Sequence, residues 1–525
     1  MHIKFDLFLF LILGLSIIGG IWHSQFINDG YHWGYIFSNS LDLVYGKKPY
    51  SEIFLEYGFL QHIINFVIIK IFGQKIFIIQ VFTVLTYAFS LYFLNRIILL
   101  ITNDKKISFY SILIVFLLYP WPTAPWPNFL AFFFINTFIY FYLKDNILNS
   151  YLAGISIFLA YISYTTLFNF ILFFYVLSVF SLFLNNFYKI KSNLKFNKNI
   201  LIIYSILLIF FFLYLISDNL FYEWVNYQKI PFLVKSTFEY SFFDLFSDYA
   251  YFLFLNPIFK FVHEPQWLIY STLFLFNLIS IFFLFFKLSK KKIDKFETKL
   301  LSIFLLIFLM NFFGQSKNLI YFATSVSLSI VSLSYFFNEI KSIENKYIIK
   351  SLLTLFIIYS LFNFDMKYSQ NADTRKKSLE YLKNKNVEIN NEINYFEYFK
   401  WDKDYWIFLN LIENKINTIQ TNCKDINNVN ITENSFLYIL LGKKTFQRLP
   451  FYLDSSDFKF NKIFDPNLFV NIQRHINNEN ILILSHKKNE NIFEFNNKFE
   501  VFKINLKSNK IINEEFRIIY PKKCN

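Results

Sequence analysis

Apolar residues run along this chain in long blocks separated by short polar breaks, and only from about Lys367 does the pattern turn polar. About 20 apolar residues span a bilayer core, and shorter runs do so within multi-helix bundles. The pattern therefore predicts about eleven spans, within a range of nine to thirteen, near 5–22, 76–101, 107–120, 128–143, 150–163, 165–185, 200–217, 267–286, 300–313, 319–337 and 347–364. The first block, Phe5 to Trp22, follows a weakly basic start and carries no small-x-small cleavage site, so it reads as a retained helix.

The polar breaks orient these spans, because cytoplasmic loops carry the Lys/Arg excess. With the N-terminus inside, the two most basic loops, "NNFYKIKSNLKFNKN" (185–199) and "KLSKKKIDKFETK" (287–299), both fall inside. The other face then receives 23–75, the "PWPTAPWPN" turn (120–128), 218–266, "GQSKN" (314–318) and everything from Asp365 onward. The expected architecture is a mainly α, polytopic bundle, N-in and C-out, over 1–364, with an extracytoplasmic α/β or α+β domain over 365–525. Residues 23–75 share a compartment with that domain.

Composition agrees with the pattern. Residues are 55% hydrophobic and only 17% charged, and mean hydropathy is +0.37, which places the chain among integral membrane proteins. Its formal charge of +14 would suit nucleic acid, but the Lys and Arg sit in short loops where they set topology, so no nucleic-acid role is expected. High Phe and Tyr counts, with abundant Ile, Asn and Lys, match an AT-rich coding bias and carry little functional weight.

Within the tail, strand-like runs occur at "SFLYILL", "NILILS" and "FEVFKINL", and helix-like runs near 404–420 and 465–478. The chain's only two cysteines, Cys423 and Cys524, both lie there. On an extracytoplasmic face a disulfide is chemically allowed, and two free thiols are an equal alternative.

The first outer loop is the richest in chemistry. Residues 34–45 place Ile36, Phe37, Leu41, Val44 and Tyr45 at helical spacing with Ser38, Asn39 and Asp42 opposite, which predicts an interfacial helix with one face in lipid. "GKKPY" breaks it, and 59–72 forms a second, mostly apolar helix with Gln61, His62 and Asn65 on one side. Two such helices would make a floor at the water–lipid boundary, where a lipid headgroup and a soluble molecule meet.

"NDGYHW" directly after the first span, followed by "YGKKPY", "EYGFL" and "IFG", resembles the first-loop pattern of the GT-C superfamily, nearest the bacterial relatives of protein O-mannosyltransferases and of the lipid A aminoarabinose transferase. The specific resemblance covers about the first 75 residues. "GQSKNL" resembles a Gly-Arg-Ser-His-x-x-Asn-Leu stretch of such proteins, with its Arg and His absent here. The resemblance implies transfer of a sugar from a polyprenyl-phosphate donor to an envelope lipid, glycan or protein, on the outer face of the cytoplasmic membrane, with Asp29 as base. The chemistry is independently sound: an acceptor hydroxyl loses its proton as it attacks the anomeric carbon, and one carboxylate can take it. Inversion with a phosphate leaving group needs no second carboxylate.

Each candidate has a plainer reading beside it. Asp29 in "NDG" is also a common turn residue. His32 could orient Asp29 or touch the donor phosphate, or be satisfied by backbone. Lys47, Lys48 and Lys317 could stabilise the departing phosphate, although paired lysines beside a bilayer commonly meet ordinary headgroups. Glu56 could bind acceptor or metal, or be a solvated loop acid; His62 could bind substrate, or simply belong to the polar side of its helix. Trp126 could stack on a sugar or serve as an interfacial anchor. His263 and Glu264 could complete a divalent-metal site with Asp29, but no His-x-x-x-His or equivalent set accompanies them. Rival functions are a lipid-linked glycan transporter or flippase, disfavoured by the near absence of mid-span charge; a polymerase; and a non-catalytic envelope scaffold.

Overall fold

The computed structural model describes residues 2–26, 30–55, 58–119, 121–122, 124–144, 146–164, 194–226, 266–290, 292–313, 328–340, 354, 387–389, 393–432, 434–446, 466–486, 493–508 and 511–525. The chain is mostly helical with a small C-terminal sheet, and it divides into two compact units: 1–22, 82–218 and 241–375 form one, 23–81, 219–240 and 376–525 the other.

The first unit holds α1 (His2–His23), most of α4 (Ile76–Thr102), α5 (Lys105–Leu118), α6 (Pro127–Leu143), α7 (Ile147–Ser163), α8 (Leu194–Ser217), α9 (Gln266–Ser289), α10 (Lys295–Phe313) and α11 (Ile330–Ile340). Four of these, α1, α4, α8 and α9, are long and apolar enough to cross a membrane; α6 and α7 are apolar but shorter. Large side chains stand bare along them, among them Leu7, Ile18, Phe210 and Phe282, each at least 65% exposed. That surface is what a helix turned toward lipid presents, so the chain is a helical membrane protein by its apolar helices.

Local chemistry sets the helix ends. Asp104 caps α5 by accepting from the Lys106 and Ile107 amides, and Asn146 caps α7 through Leu148 N. Before α10, Asp294 Oδ1 accepts from Glu297 N at 2.7 Å while Glu297 Oε2 accepts from Asp294 N at 3.2 Å, a reciprocal capping box. Glu297 also receives Lys287 Nζ, which reaches Glu339 as well, so the ends of α9, α10 and α11 share one ionic knot. Between the helices, hydrogen bonds replace the hydrophobic drive that lipid removes: Ser332 donates to Asn277 Oδ1 at 2.5 Å, and Asn95 to Ser108 Oγ at 2.7 Å. The expected spans at 165–185 and 347–364 fall outside the described residues, apart from residue 354. Of the expected span 319–337, residues 328–337 are described: Leu328 and Ser329 form a turn and α11 begins at Ile330.

The second unit combines the first loop with the tail. Helix α2 (Gly30–Val44) packs on α3 (Phe59–Phe72) and on α13 (Phe436–Leu441), a short helix of the tail. The tail sheet has the order β3-β4-β6-β5, from β3 (Asn427–Ile431), β4 (Ile481–His486), β5 (Phe499–Ser508) and β6 (Ile511–Pro521); β3 and β4 run parallel and the other pairs antiparallel. Helix α12 (Lys403–Asn422) covers it with Ile412, Ile416 and Ile419 at helical spacing, and α14 (Pro466–Asn477) packs on β4. All six residues of β4 are buried, as a strand paired on both edges and covered requires. A further hairpin-like pair, β1 (Val387–Ile389) with β2 (Lys400–Asp402), is antiparallel. Cys423 and Cys524 form a disulfide across 101 positions.

Two expectations are corrected. "SFLYILL" is helical and not a strand, because a six-residue apolar run carries no period that separates a buried strand from a buried helix turn. And the apolar face of α2 does not lie open to lipid: Ile36 and Phe37 are wholly buried and Leu41 is 2% exposed, covered by protein.

Candidate functional site

The cover over α2 is an aromatic strap, residues 393–402, that the tail lays across the first loop. Trp33 meets Phe399 edge-on at 5.3 Å, Phe37 meets Tyr395 at 6.3 Å, and Phe77, at the start of α4, meets Tyr398 at 5.5 Å. The strap is also tied by its backbone, since Lys400 N donates to Gln25 O at 2.7 Å. Lys75 pairs with Glu397 at 2.5 Å, which raises the lysine's pKa and lowers the glutamate's through their hydrogen bond. At Gly34 loop and tail approach closely: a Cβ there would stand 2.5 Å from Ser435 Oγ and 2.6 Å from Phe436 N, so glycine best admits the N-terminus of α13.

Past α2 the chain reverses. Gly46 takes φ +86, and Lys47 N bonds back to Asp42 O at 3.0 Å, which swings the Lys47 side chain onto the helix it has just left. There Lys47 Nζ donates to Asp42 Oδ1 at 2.7 Å and to the tail carbonyl of Thr445 at 2.5 Å. Burial pushes the Asp42 carboxyl up to about 6, against the opposing pull of Lys47. Tyr45 meets Tyr395 hydroxyl to hydroxyl at 3.4 Å, and burial raises its pKa as well. Lys47 is thus engaged in joining loop to tail, whereas Lys48 is exposed, with its backbone amide donating to the Glu52 carboxylate and its carbonyl accepting from Glu52 N.

Segment 53–55 folds back on α2, with Tyr35 Oη and Asn39 Nδ2 both donating to Phe54 O, at 2.5 and 2.6 Å. Helix α3 then turns its polar side inward: Gln61, His62 and Asn65 are buried while Val67, Ile71 and Phe72 are exposed. The three polar residues cluster as their spacing implies, and they face protein. His62 Nδ1 lies 3.4 Å from Ser40 Oγ of α2, and complete burial lowers the imidazole pKa to about 3.

Of the expected site residues, Asp29, Glu56, His263, Glu264 and Lys317 lie outside the described residues. His32 is in the first turn of α2, and its side chain is likewise outside the description. Trp126 belongs to the first unit, where it precedes Pro127 at the N-cap of α6 and is 1% exposed. Among the described residues no group of three or more His, Cys, Asp or Glu could hold a metal ion. Sequence reasoning missed Asp42 as a partner of Lys47, since five positions separate them and only the Gly46 turn closes the gap. It also passed over the strap, whose signal was the aromatic density of "NYFEYFKW" between polar stretches. No protein-family model matches the chain, and no curated protein matches it.

Proposed function

We propose that this protein is a multi-pass glycosyltransferase of the cytoplasmic membrane, of GT-C type. It moves a sugar from a polyprenyl-phosphate donor to an envelope lipid, glycan or protein on the extracytoplasmic face, with inversion. Asp29 is the base, the chain crosses the membrane about eleven times, and the tail is extracytoplasmic. The observation that carries this reading is the "NDGYHW…YGKKPY…EYGFL" pattern directly after the first apolar helix.

Three features support it. Loop and tail pack together, which suits the two sharing one side of the membrane. The Cys423–Cys524 disulfide suits an oxidising compartment. The exposed apolar side of α3 suits a helix lying in the interface, where a lipid-linked donor would be met. In this reading Lys48, exposed among the described residues of the loop, offers a cation to a departing phosphate, and the tail recognises the acceptor. The test is mass spectrometry of cell-envelope glycans from cells with the native protein, with Asp29→Asn and with none. The expected result is one sugar lost in both altered strains, with the Asn variant still forming its disulfide. Glycans lost only on deletion would remove Asp29 from the chemistry, and glycans unchanged on deletion would leave a scaffold.

A further inference from the structure

The buried polar side of α3 defines two hydrogen-bonding atoms with fixed roles. Ser40 has one hydroxyl proton, and it goes to Ile36 O at 2.8 Å. Toward His62 the Ser40 oxygen therefore only accepts, so His62 Nδ1 carries the ring proton and Nε2 is a bare lone pair. The ring stays neutral, because burial holds its pKa at about 3. One turn on, Gln61 Nε2 donates to Asn65 Oδ1 at 3.0 Å, which fixes that amide with its NH2 group turned the other way. His62 and Asn65 are both 0% exposed, and neither His62 Nε2 nor Asn65 Nδ2 has a hydrogen-bond partner among the described residues. Their i, i+3 spacing sets them on one face of α3.

An acceptor and a donor on one helix face select their complement by chemistry. A phosphate dianion or carboxylate has no proton for Nε2, and an ammonium group has no lone pair for Nδ2. A hydroxyl group satisfies both at once. We infer that His62 and Asn65 form a hydroxyl-binding pair, taking either one water or one hydroxyl of the transferred sugar; the sugar alternative rests on the function proposed above, and the pair itself does not.

The test is 15N NMR of ring-labelled histidine in the full-length protein in nanodiscs, with His62 assigned by its loss in His62→Gln. Spectra are taken without additive, with polyprenyl phosphate, and with polyprenyl-phosphate glucose. The expected result is an Nδ1-protonated ring whose Nε2 resonance is shifted upfield as an acceptor, and which returns to the bare position in Asn65→Leu. A shift present without additive identifies water. One that appears only with the glycosylated lipid identifies a sugar hydroxyl. A bare Nε2 under all three conditions, or an Nε2-protonated ring, overturns the pair, whatever the envelope-glycan experiment returns.

Discussion

Replacing Gly34 by Ala sets two effects of opposite sign against each other. Within a helix, Ala is worth about 1 kcal/mol over Gly, so the isolated α2 would gain. In the folded unit the new methyl would sit 2.5–2.6 Å from Ser435 Oγ and the Phe436 amide nitrogen, where ordinary contact needs 3.4 Å or more. One of those atoms is backbone and cannot rotate away, so α2 and α13 must separate by close to an ångström, and a gap of that size forfeits a quarter to a half of each dispersion contact across it. Overpacking of this kind costs about 1–3 kcal/mol, and the net loss is up to about 2 kcal/mol once the helix gain is subtracted. Because Trp33, next to Gly34, packs on Phe399, the separation loosens the strap. Hydrogen exchange of the Lys400 amide, which donates to Gln25 O, should then speed up, by at most about 30-fold. Gly14→Ala is the control, since nothing stands within 4 Å of its added methyl; Lys400 exchange should be unchanged there. Slower exchange in Gly34→Ala would mean that the helix gain acts unopposed, and would refute the close approach of loop and tail.

Three further outcomes follow from the second unit. Cys423→Ser should lower the tail's resistance to urea by about 4–5 kcal/mol, the loop-closure figure for a cross-link over roughly 100 residues, read by near-ultraviolet circular dichroism; no loss would mean the tail is held without the bond. Asp42 titrates near 6 when folded and near 4 when unfolded, so the folded state binds the extra proton between those values. The loop–tail unit should therefore lose up to about 3 kcal/mol as pH rises from 4 through 6. Asp42→Asn should flatten that slope in thermal melts, and an unchanged slope would assign it to other groups.

Some of this architecture was plain from residue order. Helix α3 runs from Phe59 to Phe72 as its apolar block predicts, because glycines at 58 and 73 bound it on both sides. "NILILS" and "FEVFKINL" became strands. Asn427–Ile431 was hidden, since asparagine is a poor strand former, and tertiary contacts use those side chains: Asn428 Nδ2 bonds Leu441 O and Asn430 Oδ1 holds the Thr432 hydroxyl. In the loop, spacing put Gln61, His62 and Asn65 on one side of α3, but nothing local said that this side faces protein. The packing of Trp33 and Phe37 against the strap depends on residues some 350 positions later, as the Tyr45–Tyr395 contact illustrates, and no periodicity within α2 encodes that.

The same distance along the chain has a consequence for biosynthesis. Lys47 and the Thr445 carbonyl it holds are 398 positions apart, so at 5–20 residues per second the ribosome completes the second partner roughly 20–80 s after the first. Throughout that interval the first loop has emerged with Trp33 and Phe37 lacking their later partners Phe399 and Tyr395. The newborn protein must shelter those side chains in lipid or on a chaperone, and the C-terminal segment, made last, releases them by taking their place.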